Sequence, residues 1–491
     1  MKKDQLKINK WASGRRLFFK QAGASLAAFS FRDIPKLFVK AKKKKTIFFT
    51  TGCKTAEVTT DSAILWTRLC GQEKPNPVTH RRLEKVFRRP IDFDENAPVA
   101  QMDGAVRAAG GWVRATLKSG GETRRSEWQK AEAEDDFTVK ISFDKLKPAT
   151  EYQILWEAKP DEEGGITTVS GSFTTAPAEP TEKPIQLVTS TCQYFWSHDD
   201  VERGFKTYDS MARMNPDFFL QTGDYVYYDK PGPLAKNLEK ARHKWHAMDS
   251  WPALKDFYQK TPVYLLKDDH DLLDDDSGPT SPAYGDLTFK DGLKVWRENV
   301  PLADKPYRTV RWGKDLQIWL AEGREYRSPN KSPDSPDKTI WGAAQKKWFQ
   351  ETVEASDATF KILFSPTPVV GPDRERKTDN HANAAFASEG DWLRKYLTAQ
   401  KNMYVVNGDR HWQYVSVDAE TGLMEFGSGP VSDSHVQGWD EDDVRPEHRF
   451  LRLKGGFLGV NVVRKNGLPT IAFTHYDVEG NAVHSEKLVA V

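Results

Sequence analysis

The chain is short of cysteine, of long apolar runs and of net charge, and each shortage excludes a class of protein. Its 491 residues include three cysteines, too few for the disulfide framework of a small secreted scaffold. No stretch of about 18 apolar residues occurs, so we expect no stable membrane span. The 72 Lys and Arg against 70 Asp and Glu leave a formal charge of +2, and we therefore expect no specific binding of nucleic acid.

What is present indicates a globular chain of two domains. Hydrophobic residues make up 38% and charged residues 29%, and 491 residues are too many for one ordinary core. From about residue 45, short β-branched and aromatic runs alternate with turn residues, which predicts an all-β region. The text "LKPATEYQILWEA" followed by "GSFTTAPAEP" resembles the end of a fibronectin type III sandwich.

After the Pro-rich stretch at 175–184, predicted strands alternate with predicted helices, as in an α/β domain. "IQLVTSTCQ", "PDFFLQTG" and "NMYVVNG" are apolar runs that end in small or polar residues, typical of buried sheet strands. We therefore predict three parts: a signal and basic linker at 1–44, a fibronectin III-like β-sandwich at 45–178, and a catalytic domain at 184–491.

The N-terminus resembles a twin-arginine (Tat) export signal. A basic start leads to Arg15 and Arg16, and a modest apolar stretch follows. Export by the Tat translocase, and hence a periplasmic or secreted location, is the expectation. The alternative is a basic, partly amphipathic N-terminal arm.

The run "LLKDDHDLLDDD", residues 265–276, packs six aspartates and a histidine into twelve positions. Like charges this close repel, so an offsetting charge is needed if the run is buried. Two interpretations compete: a solvated acidic loop, and a site for multivalent cations.

Four predicted strands end in residues of metal-binding type. They are Cys192 after "QLVTST", Asp224 after "FFLQTG", Asp269 after "VYLLKD", and Asp409 with His411 after "YVVNG". Parallel strands bring their carboxyl ends to one edge of a sheet, so these residues are expected to lie together. Any one of them alone is weak evidence, because an aspartate at a strand end often caps a helix.

Two further residues adjoin this set. Tyr227 follows Asp224 by three positions, and its phenolate would suit a hard ion such as ferric iron; the alternative is an aromatic packing residue. His270 follows Asp269 and could contact a substrate oxygen or protonate a leaving group. The alternative for His270 is a structural hydrogen bond to the aspartates around it.

Taken together, the chain resembles the PhoD-type alkaline phosphatases, a branch of the metallophosphoesterase superfamily. The motifs "DSAILWTRL", "TSTCQ", "TGDYVYY", "DDHD", "REYRS", "NGDRH" and "EFGSGPVS" follow in the family's order. The resemblance covers nearly everything after the signal. It implies an α/β catalytic domain built as a four-layer metallophosphoesterase-like sandwich.

The resemblance also implies a ligand set for Fe³⁺ and Ca²⁺. Oxygen-rich ligands suit these ions better than zinc. Iron would be bound by Cys192, Asp224 and Tyr227, with Asp224 bridging to calcium. The remaining ligands implied by the family motifs are Asp269, Asp409 and His411.

The resemblance is less specific about two further parts of the site, the acidic run at 274–276 and Arg324. Asp274, Asp275 and Asp276 stand where the family commonly has paired asparagines, and a calcium ligand is expected among them, with Asp274 and Asp275 as candidates. Arg324, in "EGREYRS", matches a family arginine that could grip a phosphate oxygen as a bidentate donor; the alternative is a salt bridge with nearby acids.

The function these residues predict is hydrolysis of phosphoric monoesters or diesters by a water that the metals activate, with His270 and Arg324 as catalytic residues. The substrate would be a small or polymeric phosphate ester. Two alternatives stay open: a related metallo-hydrolase acting on lipid phosphate, and a calcium-dependent binding protein without catalysis.

Overall fold

The structure is a computed structural model that describes residues 45–85 and 87–491. Residues from 45 onward belong to one compact unit. The twin arginines Arg15 and Arg16, and with them the predicted export signal, lie outside the described residues. No helix within the described ranges is long and apolar enough to cross a membrane.

The first part of the chain is built from strands, as predicted. In chain order they are β1 Cys53–Ala56, β2 Ala63–Arg68, β3 Gly111–Ser119, β4 Glu122–Arg125, β5 Gln129–Ala131, β6 Thr138–Phe143, β7 Glu151–Lys159 and β8 Thr167–Thr174.

The second part alternates strands and helices before ending in antiparallel strands. The first half comprises β9 Ile185–Ser190, α1 Lys206–Met214, β10 Phe218–Gln221, α2 Leu238–Asp249, α3 Pro252–Tyr258, β11 Val263–Leu265, α4 Phe289–Asn299, β12 Arg308–Trp312 and β13 Leu316–Leu320. The second half comprises α5 Gly342–Glu354, β14 Phe360–Ser365, α6 Ala387–Thr398, β15 Met403–Asn407, β16 Gln413–Val417, β17 Met424–Ser428, β18 His448–Arg452, β19 Phe457–Lys465, β20 Leu468–Tyr476 and β21 Ala482–Val489.

Two large mixed sheets carry the second part. One has nine strands in the order β21-β20-β19-β9-β10-β11-β1-β2-β6, and the other has seven in the order β12-β13-β14-β15-β17-β16-β18. Strands β9, β10 and β11 are parallel in the first sheet, and β13, β14, β15 and β17 are parallel in the second. A smaller sheet, β4-β3-β7-β8 with β5 beside β3, belongs to the first part.

The two large sheets face each other across a common core, and helices cover their outer faces. Because side chains alternate along a strand, Leu187 of β9 points into the core between the sheets while Val188 packs against helices α1 to α4. In the same way Ile362 of β14 faces the inner core, and Leu363 packs against α5 and α6. Burial on both faces explains why these strands are almost continuously apolar in sequence.

The structure differs from the sequence-based prediction in two places. The segment "LEKARHKWHAMDSWPALKDFYQK", predicted as one helix, forms α2 and α3, because Pro252 lacks an amide hydrogen and starts the second helix at its first position. In addition, β1 pairs in parallel with β11, so β1, β2 and β6 extend the nine-stranded sheet across the predicted boundary near 178–184. The division into domains at that point stays a prediction.

Candidate metal centre

The carboxyl ends of the parallel strands meet at one edge of the two large sheets. Ser190, Gln221 and Leu265 are in register across β9, β10 and β11, so Cys192, Asp224 and Asp269 follow at the same edge. In the second sheet Asn407 of β15 pairs with Ser365 of β14. A parallel bridge between Thr191 and Pro430 joins the two sheets at this edge.

Two glycines allow the strand ends to come this close. A Cβ atom on Gly408 would lie 2.5 Å from the carbonyl oxygen of Thr222 and 2.7 Å from that of Pro366. Gly223 has a φ of +112°, and a Cβ there would lie 2.7 Å from the Cβ of Asp268. Any larger residue would push the strand ends apart, so both glycines are structural requirements of the site.

Three of the predicted ligands share an uncommon backbone conformation. Cys192, Asp224 and Asp409 have φ values of 51°, 58° and 63°. The left-handed region costs a non-glycine residue roughly 1–2 kcal/mol, and such strain clusters at functional sites.

One side of the site, which we call the sulfur–phenol side, is formed by Cys192, Asp224, Tyr227, His411 and His435. The Sγ of Cys192 lies 3.4 Å from Oδ2 of Asp224, and the Tyr227 hydroxyl donates to the same oxygen at 2.9 Å. The Nε2 atoms of His411 and His435 each lie 3.0 Å from the Tyr227 hydroxyl oxygen. Ligand atoms of Cys192, Asp224 and His411 all lie within 4.8 Å of one another.

The other side, which we call the carboxylate side, is formed by Asp268, Asp269, Asp379 and Asp409. Carboxylate oxygens of Asp224, Asp268 and Asp409 lie within 4.8 Å of one another, as do ligand atoms of Asp224, Asp269 and His270. Asp224 belongs to both sides and is therefore the residue placed to bridge them.

Only part of the acidic rim, Asp274 to Asp276, lies close to the other residues of the site. Oxygens of Asp275 and Asp276 lie within 4.8 Å of Asp269, whereas Asp274 belongs to none of the clusters formed by the described residues. The ammonium group of Lys377 pairs with Asp275 at 3.2 Å and with Asp276. The rim is thus offset in part by a lysine of the chain itself, which neither of the two sequence-based interpretations included.

Arg324 is completely buried on the carboxylate side. Its guanidinium donates to Asp268 and, at 3.0 Å, to Asp379, and it lies 3.5 Å from Asp269. Its Nη1 also donates to the carbonyl oxygen of Ser277 at 3.3 Å. This arrangement favours the salt-bridge alternative for Arg324, and its phosphate-gripping role stays a prediction.

His270 stands between the two sides. Its Nδ1 lies 2.8 Å from Oδ1 of Asp229, and its ring centroid lies 4.4 Å from that of Tyr227. Burial alone would lower the pKa of His270, but the carboxylates of Asp229, Asp269 and Asp224 outweigh it and hold the pKa well above its ordinary value.

Burial dominates the protonation of the sulfur–phenol side. It raises the pKa of Asp224 well above the usual value, with further contributions from the charges of Asp269, Asp271 and Asp409 against the opposing effect of His270. It likewise raises the pKa of the Cys192 thiol and of the Tyr227 phenol, each next to the Asp224 charge. Without added positive charge, the ligands on this side are therefore disfavoured as anions.

Buried carboxylate oxygens without hydrogen-bond donors indicate that the site can hold a pair of cations. Two buried carboxylate oxygens of the site, Asp224 Oδ1 and Asp268 Oδ2, have no hydrogen-bond donor among the described residues. Two more, Asp269 Oδ1 and Asp409 Oδ2, make no hydrogen bond of good geometry, although they lie 3.5 Å and 2.6 Å from arginine nitrogens. Buried polar atoms are nearly always partnered, and oxygen lone pairs grouped in this way are suited to cations.

Sequence reasoning placed Cys192, Asp224, Asp269, Asp409 and His411 correctly at one edge, but it missed other members of the site. Asp269 was predicted as a metal ligand, whereas its neighbour Asp268 was not. His435 follows β17, and the rule applied to the other strands would have found it if "MEFGS" had been assigned as a strand. The remaining partners, Asp229, Lys377 and Asp379, lie in loops that carry no periodic signal.

Comparisons with known proteins point to one family. The chain is 22% identical over 488 residues to alkaline phosphatase D of Bacillus subtilis (strain 168), a match covering 87% of this chain and 76% of that protein. A solved structure of PhoD superposes with a TM-score of 0.67 at 16% identity, covering 90% of this chain and 89% of the other.

A second solved structure has the same fold. The purple acid phosphatase PPD1 from yellow lupin (Lupinus luteus) seeds superposes with a TM-score of 0.59 at 9% identity, covering 89% of this chain and 74% of that one. The chain therefore shares its α/β fold with PhoD and with this purple acid phosphatase. Because the PhoD-like phosphatase family matches residues 187–450, more than half of the chain, the protein belongs to the PhoD-like phosphatase family.

Proposed function

We propose that this chain is a metal-dependent phosphoric ester hydrolase of the alkaline phosphatase D type, acting on phosphomonoesters or phosphodiesters. The observation that carries the proposal is the gathering of donors around Asp224: thiol, imidazole and carboxylate atoms form clusters within 4.8 Å, and the Tyr227 phenol lies 2.9 Å from Asp224. A simple calcium site needs neither the thiol nor the phenol, which argues against a binding protein without catalysis.

The two sides suit two different cations. We assign Fe³⁺ to Cys192, Asp224, Tyr227 and His411, because phenolate and thiolate are anionic donors that favour a strongly charged ion. We assign Ca²⁺ to the carboxylate side, where only oxygen donors are present. When bound, the ions would lower the pKa of a water molecule and neutralise the charge that develops on the phosphoryl oxygens.

His270 is placed to handle the proton of the leaving group. Asp229 holds Nδ1 of the ring at 2.8 Å, which leaves Nε2 as the nitrogen that can reach a substrate oxygen. As an imidazolium, His270 would donate its proton to the leaving oxygen.

Arg324 acts in this proposal mainly as a positioning residue. Its contacts with Asp268, Asp269 and Asp379 fix the carboxylate side and offset its charge.

The first part of the chain, residues 45–178, is proposed to be a fibronectin III-like sandwich that precedes the catalytic domain at 184–491. Strands β1, β2 and β6 lie in one sheet and β4, β3, β7 and β8 in another, and both contribute to a shared core. The hydroxyl of Tyr152 accepts from the amide of Lys147 at 2.9 Å, a contact typical of the tyrosine corner of such sandwiches. The twin arginines support the further proposal that the protein is exported by the Tat translocase to the periplasm or beyond.

The test is hydrolysis of p-nitrophenyl phosphate and bis(p-nitrophenyl) phosphate by the purified chain, with calcium and with a chelator. We expect activity that the chelator abolishes and calcium restores. His270→Ala should lower kcat by about 10²–10⁴-fold with unchanged thermal unfolding. His484→Ala, on the outer strand β21, is the control and should keep full activity. Calcium binding without hydrolysis of either ester would instead support the binding-protein alternative.

A further inference from the structure

A basic segment of the first part of the chain reaches the candidate metal centre. Within residues 81–85 and 87–90, five cationic side chains stand against the single carboxylate of Glu84. The cations are Arg81, Arg82, Lys85, Arg88 and Arg89. A cationic segment at the edge of a phosphatase site is placed to act on anionic substrates.

The segment is anchored beside the sulfur–phenol side. Nη1 of Arg82 donates to the carbonyl oxygen of Trp196 at 3.0 Å, and the amide of Phe87 donates to the carbonyl oxygen of Ser434. The ring of Phe87 stacks on Tyr194 at 5.0 Å with an interplanar angle of 4°. Phe87 has a φ of 55°, an unusual value for a bulky residue that its tertiary contacts must hold in place.

Phe87 connects the segment to the ligands themselves. Its ring centroid lies 5.1 Å from that of His435, whose Nε2 lies 3.0 Å from the Tyr227 hydroxyl oxygen. The His435 ring lies 4.5 Å from that of His411. Phe87 is therefore part of the wall of the site.

Two cations lie over this wall residue. The Cζ atom of Arg89 is 5.8 Å from the centre of the Phe87 ring, and Nζ of Lys230 is 5.4 Å from it.

Neither cation is fully neutralised by the protein. Arg89 has no carboxylate within salt-bridge distance in the described part of the chain. Lys230 lies 3.7 Å from Asp229, a carboxylate that is already paired with His270 at 2.8 Å.

Other surfaces near the site are less suited to an anion. The rim of Asp274, Asp275 and Asp276 is acidic. A neighbouring cavity of about 590 Å³ is lined by three arginines but also by four carboxylates.

We propose that Arg89 and Lys230 form a second anion subsite beside the metal centre, which selects phosphate esters that carry a second phosphate next to the scissile one. The proposal rests on the proposed phosphatase function and adds a substrate class to it. The arginine supplies a planar, forked donor and the lysine a mobile point charge, a combination suited to a phosphate group.

The test compares ADP with AMP, which differ by one phosphate and also in the bond cleaved, a phosphoanhydride in ADP and a phosphoester in AMP, so the change of their ratio between variants carries the result. For the wild-type enzyme we expect kcat/KM for phosphate release to be higher for ADP. The ratio of the two values should fall about tenfold or more in Arg89→Ala and in Lys230→Met, since each removes one charged hydrogen-bond donor. Arg81→Ala removes the same charge from the same segment and should leave the ratio unchanged.

Three results would overturn the subsite: no preference for ADP in the wild type, an unchanged ratio in both Arg89→Ala and Lys230→Met, or an equal fall in Arg81→Ala. The last would show general attraction by the segment. Circular dichroism and thermal unfolding identify a variant that fails to fold, and the two independent variants guard against that case. Lack of hydrolysis of AMP, ADP, p-nitrophenyl phosphate and bis(p-nitrophenyl) phosphate alike would overturn the proposed function itself and the subsite with it.

Discussion

The two sides of the candidate metal centre offset their charge in opposite ways. On the carboxylate side, Asp268, Asp269 and Asp379 surround the guanidinium of Arg324, and Asp409 lies 2.6 Å from Arg410. On the sulfur–phenol side, no lysine or arginine of the described residues pairs with any of the five side chains, which contact one another instead.

This difference shows which side of the site needs the positive charge of a bound metal ion to offset its own negative charge. The arginines of the carboxylate side are present whether or not an ion is bound. On the carboxylate side, the charges of Arg324, His270 and Lys377 outweigh the effect of burial and lower the pKa of Asp269 below its usual value. Burial raises the pKa of Asp268 and Asp409 on that side, as it raises the pKa of Asp224. Because no lysine or arginine of the described residues pairs with the sulfur–phenol side, we expect a strongly charged cation to be needed most there.

The largest expected effect comes from the residue shared by both sides. Asp224→Asn keeps the size of the side chain but removes its charge, and we expect it to lose both metals and all measurable esterase activity. Metal content by mass spectrometry and an assay with p-nitrophenyl phosphate check this. Asp217→Asn, just before the opposite end of β10, is the control and should retain the metals. Full metal content in Asp224→Asn would remove this residue as the bridge.

Arg324→Met should break the carboxylate side without touching the other. It leaves three buried carboxylates without their cation, and we expect a loss of about 3–5 kcal/mol in the free energy of unfolding. Calcium should recover part of the loss by replacing the missing charge. Denaturant unfolding with calcium and with chelator measures both.

The matched control is Arg297→Met, whose side chain is 55% exposed in its pair with Glu325 and should cost less than about 1 kcal/mol. Equal losses in the two variants would mean that the buried arginine has no special role.

Cys192→Ser should affect only the sulfur–phenol side. We expect iron affinity to fall by at least about 10–100-fold, the range found for residues that merely support a metal ligand, while calcium binding is retained. Competition with an iron chelator measures the change. Cys53→Ser, whose buried thiol donates to Thr67, serves as the control and should leave iron binding intact. Parallel loss of both metals in Cys192→Ser would show that the two sides are not separable.

The smallest effect is expected at the rim. Lys377→Met removes an ammonium group that pairs with Asp275 and Asp276, so calcium should bind there several-fold more tightly. Isothermal titration with calcium checks this, with Lys331→Met as an exposed control. Weaker calcium binding in Lys377→Met would contradict the view that the lysine competes with a cation.

The sequence predicted that the ligands converge, because the ends of the buried strands can be recognised from the local sequence pattern. Apolar runs followed by a small residue and a metal-binding residue identified β9, β10, β11 and β15, and the parallel arrangement then placed Cys192, Asp224, Asp269 and His411 together. The same reasoning underlies the family resemblance, since the shared motifs are these strand ends.

The rest depended on tertiary contacts that leave no local pattern. Nothing near Lys377 or Asp379 in sequence indicates that they meet the acidic run about a hundred residues earlier. The pairing of β1 with β11 rests on a single pair of residues, Ala56 and Val263, and could not be read from alternation. The sequence likewise left open whether Arg324 forms a salt bridge or binds phosphate, because its buried partners are visible only in the structure.

The most direct test of the account is a visible absorption spectrum with metal analysis of protein purified without added metal. In the metal-free chain, burial keeps the phenol of Tyr227 protonated, so a strong ferric charge-transfer band requires the ion to bind there. The account predicts bound iron and a phenolate-to-ferric band that is lost in Tyr227→Phe, where absorption from the Cys192 thiolate remains, and that is kept in Tyr225→Phe. A colourless protein that contains zinc, or a band unchanged in Tyr227→Phe, would contradict it.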